Sequence, residues 1–391
     1  MTIQNISVAS KATESEFQAE QVLTIAGGHF VHDVYSAFLA PLLPLIIEKL
    51  SLSLTLAGSL SAFMQFPSIL TPFIGHLSDK YNLRYLVILA PALTATFMSA
   101  IGLAPNYAFL ALILLVAGLS SAFFHAPAPA MVAHISSQRV GKGMSWFMAG
   151  GELARTIGPL VAVWAVSTWA LDGMFRVVVV GWATSAILFW RLRDIPVGAR
   201  KNGSLQSILP KLRTLFLPLS VVIFFRMFMV VCMTTYLPIF MSLNGSTLFL
   251  AGASLSILEF AGVIGALSGG TISDRLGRKS VLMVITVLAP LLMIAFLNVS
   301  GWLLVPVLLL YGFVSIAPSP VFLALIQDHF PENRAVSNGL YISMNFLLRS
   351  LAMVLVGIAG DAFGLQAAFM WSALLSMLGL AGIVMLPVES T

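Results

Sequence analysis

The sequence predicts an all-α membrane protein whose twelve transmembrane helices form two pseudo-symmetric six-helix bundles. Three observations predict it. Of the 391 residues, 59% are hydrophobic and only 9% charged, whereas an ordinary soluble domain carries about 25% charged residues. Apolar runs of about 20 residues, the length of a bilayer-crossing helix, recur along the whole chain. The second half of the sequence also repeats the first, at an offset of 194 to 195 residues.

The composition excludes whole classes of function. Twenty basic and 15 acidic residues cannot cover the surface of a soluble chain of this length, so a soluble enzyme and a disordered chain are excluded. A net charge of +5 would suit nucleic acid, but the basic residues sit in short gaps between apolar runs, so no nucleic-acid partner is expected. The single cysteine, Cys232, lies in an apolar run and supplies neither a disulfide nor a thiolate metal site.

The elements follow in chain order. Residues 1–19 are polar and lack the n-region and cleavage site of a signal peptide, which predicts a cytoplasmic tail. The apolar runs then place spans at 21–47, 54–77, 85–104, 106–128, 142–166 and 173–190. The second set lies at 214–241, 248–271, 280–298, 302–326, 336–360 and 366–386. Turn residues punctuate the gaps, as at Ala104-Pro105-Asn106 and Asn244-Gly245. The first six spans make a bundle over 20–190, a basic cytoplasmic linker covers 191–213, the second bundle covers 214–386, and a short tail covers 387–391.

Lys and Arg set the orientation. With the N-terminus in the cytoplasm, alternation puts 15 of the loop basic residues inside, among them Lys80, Arg84, Arg139, Arg193, Arg278 and Arg334. Only Lys49 and Arg176 fall outside. Both termini are therefore expected in the cytoplasm, in a multi-pass protein of a bacterial-type inner membrane whose partner is the lipid bilayer. The basic excess is a topology signal.

The repeat is specific. Pro44 matches Pro238, and Leu56-Ala57-Gly58 resembles Leu250-Ala251-Gly252, both at offset 194. Gly75-His76-Leu77-Ser78-Asp79-Lys80 falls on Gly270-Thr271-Ile272-Ser273-Asp274-Arg275 at offset 195. Parallel repeats of six helices are the layout of transporters that rock two bundles around a midplane site.

These two stretches, extended through Arg84 in the first half and through Gly277 and Arg278 in the second, resemble the signature loop of the major facilitator superfamily. Asn82 stands where that loop usually has glycine. The resemblance covers about 21–386 and implies the major facilitator fold. Glycines Gly75 and Gly270 would let the span approach its neighbour closely. Asp79 and Asp274, with Lys80, Arg84, Arg275 and Arg278, would either latch the cytoplasmic side shut or anchor the topology.

Charges inside the spans are few and costly. Each Asp, Glu or Arg at mid-bilayer costs about 2.5–3.5 kcal/mol on insertion scales, so it must face a partner, water or a cavity. His29, His32 and Asp33 lie at i, i+3 and i+4 and share one face of span 1. They are the first candidates for proton coupling, with Glu152 and Glu259 next; the plain alternative is a polar cluster that locks span 1 to its neighbour. No metal site is assigned, because a metal would want more ligands than the sequence supplies near these three. Glu152 and Arg155, at i and i+3, are expected to form an intrahelical ion pair. Arg226 and Arg349 have only Glu259 as an obvious counter-charge. Arg155, Arg226 and Arg349 are the candidates for an anionic substrate group, with His125 and Tyr35 as further substrate contacts.

A finer resemblance lies in Gly118-Leu-Ser-Ser-Ala-Phe-Phe-His125-Ala-Pro127 and in Gly150-Gly151-Glu152-Leu-Ala-Arg155-Thr-Ile-Gly158-Pro159. Both resemble the fosmidomycin-resistance branch of the superfamily, and Gly158-Pro159 is similar to the superfamily's antiporter motif. The resemblance implies export of a drug or small molecule in exchange for protons. Proton-coupled uptake of an organic anion is the alternative, since the same charges serve either direction. No nucleotide motif and no nucleophile–base pair is visible, so neither enzymatic activity nor a cofactor is expected. One chain holds a whole pathway, so it is expected to work as a monomer.

Overall fold

A computed structural model describes residues 17–81, 83–194, 209–330 and 334–387, with the backbone alone described at 78–80, 209–212 and 334–335. Most of the N-terminal tail, the centre of the linker, the last four residues and the side chains of Asp79, Lys80 and Arg334 lie outside the described residues.

Helices account for the fold, and no strand occurs among the described residues. Span 1 is α1 (Ala19–Ser36) followed by α2 (Leu39–Leu50). Span 2 is α3 (Leu54–Gln65), a 3-10 turn at Phe66–Leu70 and α4 (Thr71–Lys80). Span 3 is α5 (Arg84–Ser99); span 4 is α6 (Tyr107–His125) with α7 (Ala128–Ile135). Spans 5 and 6 are α8 (Val140–Gly173) and α9 (Val178–Leu192). In the second half, span 7 is α10 (Leu209–Val231), a π-turn at Cys232–Tyr236 and α11 (Leu237–Leu243). Spans 8 and 9 are α12 (Leu248–Leu276) and α13 (Arg278–Asn298). Span 10 is α14 (Leu304–Ile316) with α15 (Pro318–His329), span 11 is α16 (Arg334–Phe363), and span 12 is α17 (Leu365–Ser376) with α18 (Gly379–Met385).

Ten stretches of the described residues are long and apolar enough to cross a membrane. One of them, Ser137–Leu192, holds two spans, because α8 breaks at Ala170, whose φ is +58°. Span 2 is less apolar than these ten, with Ser59, Ser61, Gln65, Ser68 and His76 along it, and Pro67 and Pro72 flank its 3-10 turn. The architecture is therefore the twelve-helix, two-bundle fold that the sequence predicts.

The repeat is visible in where helices start and break. Ser53 and Thr247, 194 residues apart, each cap the next helix, accepting from Leu56 N at 3.2 Å and Leu250 N at 3.3 Å. α5 and α13 begin at Arg84 and Arg278, the same offset. Spans 4 and 10 break at Ala126-Pro127 and Ala317-Pro318, as a proline that lacks an N–H requires. Trp190, Leu267 and Trp302 are more than two-thirds exposed, as side chains facing lipid would be.

The two main seams between the bundles are α3 against α16 and α8 against α12. Small residues set their closeness. A Cβ at Gly58 would collide with the Met353 carbonyl and the Tyr236 hydroxyl, and one at Gly357 would stand 2.6 Å from the Leu54 carbonyl oxygen. At the end away from the signature loops the seam is sealed by polar bonds. Asp361 on α16 accepts from the Leu54 and Thr55 amides at 2.7 and 2.8 Å and from the Thr55 hydroxyl at 2.6 Å. The Tyr236 hydroxyl donates to the Met353 carbonyl at 2.7 Å and lies 3.1 Å from that of Leu54.

Candidate functional site

The i, i+3, i+4 spacing on α1 puts His29, His32 and Asp33 on one face, buried against α6 and α8. α6 ends at His125, because Pro127 cannot continue it, and this brings a third imidazole onto Asp33. His125 Nε2 lies 3.4 Å from Asp33 Oδ1, His29 Nε2 lies 3.2 Å from Asp33 Oδ2, and the two Nε2 atoms are 3.2 Å apart. His32 Nδ1 donates to Asp33 Oδ1 at 2.8 Å. Aromatic rings clamp the imidazoles in place: Phe147 stacks on His29 at 4.1 Å and Phe124 on His32 at 4.8 Å. The His32 side chain is fully buried, whereas that of His125 is 36% exposed.

The second nitrogen of each ring decides the chemistry. His29 Nδ1 lies 2.8 Å from the Phe147 carbonyl and His125 Nδ1 lies 3.0 Å from the Ser121 carbonyl. A carbonyl only accepts, so both Nδ1 atoms carry hydrogen. With both rings neutral, their Nε2 lone pairs and the Asp33 carboxylate converge with no hydrogen among them. Three acceptors at 3.2–3.4 Å repel one another unless a positive charge sits between them. A single positive charge among them would turn that repulsion into attraction.

Beside it lies a second polar group. Arg155 forms the expected ion pair with Glu152 on α8 and lies 3.7 Å from Glu259 on α12 of the other bundle. The Arg155 side chain is 44% exposed although it is mid-span. Glu259 thus stands as counter-charge to Arg155 and, through space, to Arg349. Arg226 instead donates to the Ser315 carbonyl and lies 5.9 Å over the Phe322 ring. Arg349 donates to the Thr234 hydroxyl at 3.0 Å. The Nε of each has no hydrogen-bond partner.

Three expectations are redrawn. Tyr35, expected to touch substrate, is 2% exposed, and its hydroxyl donates to the Val177 carbonyl inside the first bundle. His125, expected to touch substrate, is a member of the Asp33 cluster. Arg278 of the second signature loop pairs with Asp274 at 3.1 Å and with Asp328 on α15 at 2.7 Å, so it ties helices of one bundle together. Among the other signature residues, Gly277 has φ +85° and makes the turn between α12 and α13. Arg275 is exposed, and open space surrounds the Cβ position of Gly75.

The glycines of α8 are packing positions. A Cβ at Gly150 would stand 2.5 Å from the Ala26 carbonyl oxygen, and one at Gly158 would stand 2.6 Å from the Ala37 side chain and 2.9 Å from the Val34 carbonyl oxygen. They let α8 lie directly on α1, with Pro159 within α8 just beyond Gly158. Nothing in the sequence marks the Ser121 and Phe147 carbonyls, which fix the tautomers, and two further polar residues, Asn338 and Asn345, lie on α16. Asn338 Oδ1 and Asn345 Oδ1 have no hydrogen-bond partner. The heptad spacing of the two asparagines, followed by Arg349 at i+4, was the signal that could have found a polar stripe on that helix.

The profile of the Major Facilitator Superfamily matches residues 25–353. The chain belongs to that superfamily. It is a transporter and not an enzyme. Among curated proteins it is 23% identical over 369 residues to the fosmidomycin resistance protein of Escherichia coli (strain K12), covering 91% of this chain and 90% of that one. It is 26% identical over 374 residues to the multidrug resistance protein MdtG of Proteus mirabilis (strain HI4320), covering 88% and 90% of the two chains. Among solved structures, a bacterial homolog of the human lysosomal transporter Spinster, in an inward-facing and unoccupied conformation, matches with a TM-score of 0.75 at 15% identity over 95% of both chains. A D-xylose–proton symporter matches with a TM-score of 0.73 at 14% identity, over 93% of this chain and 95% of that one. At such identities the two structures establish the shared fold alone.

Proposed function

We propose that this transporter exports a small amphipathic or anionic compound in exchange for protons, by alternating access. The observation that carries the reading is the convergence of His29 Nε2, His125 Nε2 and the Asp33 carboxylate around a place for one positive charge. A proton taken up there turns three repelling acceptors into a hydrogen-bonded imidazolium–carboxylate group, and its release restores the repulsion. Arg155, linked to Glu152 on its own helix and Glu259 on the other bundle, couples that charge change to the bundle interface. Arg226 and Arg349, each with a partnerless Nε, would meet an anionic group on the substrate.

The Lys and Arg distribution supports a topology with both termini and both signature loops on the cytoplasmic side. The seal at Asp361 and Tyr236 then lies on the outer side, so this is a state closed to the outside. The names of the relatives supply the first compound to try. The purified protein in proteoliposomes, given an imposed pH gradient, should move fosmidomycin against the proton flow. Accumulation of the compound in the same direction as the protons would overturn the exchange reading in favour of uptake.

A further inference from the structure

We propose that His29, Asp33 and His125 also form a binding site for a divalent transition-metal ion of the zinc class. The inference rests on geometry and ligand chemistry, and it stands whether or not the site couples protons to transport.

Zinc in a tetrahedral site has bonds of about 2.0–2.1 Å to imidazole nitrogen, which puts neighbouring ligand atoms about 3.3–3.4 Å apart. The edges here are 3.2 Å from His29 Nε2 to His125 Nε2, 3.2 Å from His29 Nε2 to Asp33 Oδ2, and 3.4 Å from His125 Nε2 to Asp33 Oδ1. The carboxylate presents a different oxygen to each imidazole, so it would ligate through both. Ligand atoms from these three residues lie within 4.8 Å of one another. α1 and α6 belong to the same bundle, so no rearrangement between bundles is needed to assemble the set.

The surroundings meet the other demands of a metal ligand. Such a histidine must offer a lone pair while its other ring nitrogen donates to a fixed acceptor. His29 does so through Phe147 and His125 through Ser121. Asp33 is itself oriented by a hydrogen bond from His32 Nδ1. Two imidazoles and one carboxylate disfavour magnesium and calcium, which take oxygen ligands, and suit zinc or a neighbouring divalent ion. The 36% exposure of His125 leaves the remaining coordination position on the open side of the cluster. The nearby charges are Asp33, Glu152 and Glu259 against Arg155 and Arg349, a net negative environment while the imidazoles are neutral.

The test uses the purified full chain in detergent, stripped with a chelator and titrated with ZnCl2. One equivalent should bind per chain, and His125→Ala and Asp33→Asn should each weaken binding by more than about 100-fold, since each removes one of three protein ligands. His76→Ala, on α4, should leave binding unchanged. Wild-type protein titrated with Co2+ should give the intense visible bands of a four- or five-coordinate ion, a reading that needs no variant to fold. Absence of those bands, or zinc binding that survives both variants, would overturn the proposal. Gradient-driven transport by metal-stripped protein is scored separately, so a lost metal site leaves the proton reading standing, and lost proton coupling leaves the metal site standing.

Discussion

Gly151 on α8 lies against the imidazole of His29: a Cβ there would stand 2.5 Å from Cε1, 2.7 Å from Nε2 and 3.2 Å from Asp33 Oδ2. The absence of a side chain at one position of span 5 thus gives the His29–Asp33–His125 cluster its room. Gly151→Ala should push the ring off the Phe147 carbonyl and break the 3.2 Å approach to His125. Overpacking of this kind costs about 1–3 kcal/mol. A lowered melting temperature in detergent, together with loss of gradient-driven flux, is the expected result. Unchanged flux would show that the cluster tolerates displacement and is not a tuned site.

Asp33→Asn removes the one formal negative charge that faces all three imidazoles. The variant should lose transport driven by an imposed pH gradient while retaining counterflow exchange at equal pH, because exchange needs no net proton movement. Full gradient-driven transport by the variant would remove Asp33 from the proton path.

Which parts of this site were legible in the sequence follows from the range of each interaction. His29, His32 and Asp33 share a face by helical spacing alone, and Glu152 pairs with Arg155 for the same reason, so both groups could be read from one segment. The two-bundle fold could be read because the cost of charge in a bilayer makes hydropathy and loop charge report directly on spans. His125 and Glu259 could be seen as isolated polar residues, but Asp33 lies 92 residues from His125 in sequence and Arg155 lies 104 residues from Glu259. Spacing says nothing about which helices touch. The partner of the Tyr35 hydroxyl could not be read for the same reason, since Val177 lies 142 residues away in sequence. Only the packed structure decides whether a polar side chain is already satisfied.

Arg155 separates two carboxylates, Glu152 on its own helix and Glu259 across the bundle interface. Arg155→Ala should leave both acids without the cation that stands between them, with Arg349 as the remaining positive charge near Glu259. A paired charge stripped of its partner costs about 3–5 kcal/mol when buried, and the 44% exposure of Arg155 puts the expected loss lower, at about 1–3 kcal/mol. Adding Glu152→Gln and Glu259→Gln should return the melting temperature toward wild type, because it removes the repulsion. Transport should not return with it. Recovery of transport in the triple variant would show that the three charges serve stability alone.

Asp361 closes the far end of the bundle interface by accepting from the first two amides of α3, as an N-cap residue does, but from the opposite bundle. Loss of a cap costs about 0.5–2 kcal/mol. Here that free energy belongs to one conformation only, because the bond breaks when the bundles part at this end. Asp361→Ala should therefore shift the closed–open equilibrium by up to about 30-fold, as 2 kcal/mol requires. Tyr236→Phe, which deletes the hydroxyl lying between the Leu54 and Met353 carbonyls, should shift it in the same direction. Spin labels at Leu52 and Gln366 read the separation directly: the longer-distance population should rise in both variants and change little in Asp361→Asn, whose side-chain oxygen still accepts from one amide. An unchanged distance distribution in Asp361→Ala and in Tyr236→Phe would mean that apolar packing of α3 on α16 holds this end shut without them.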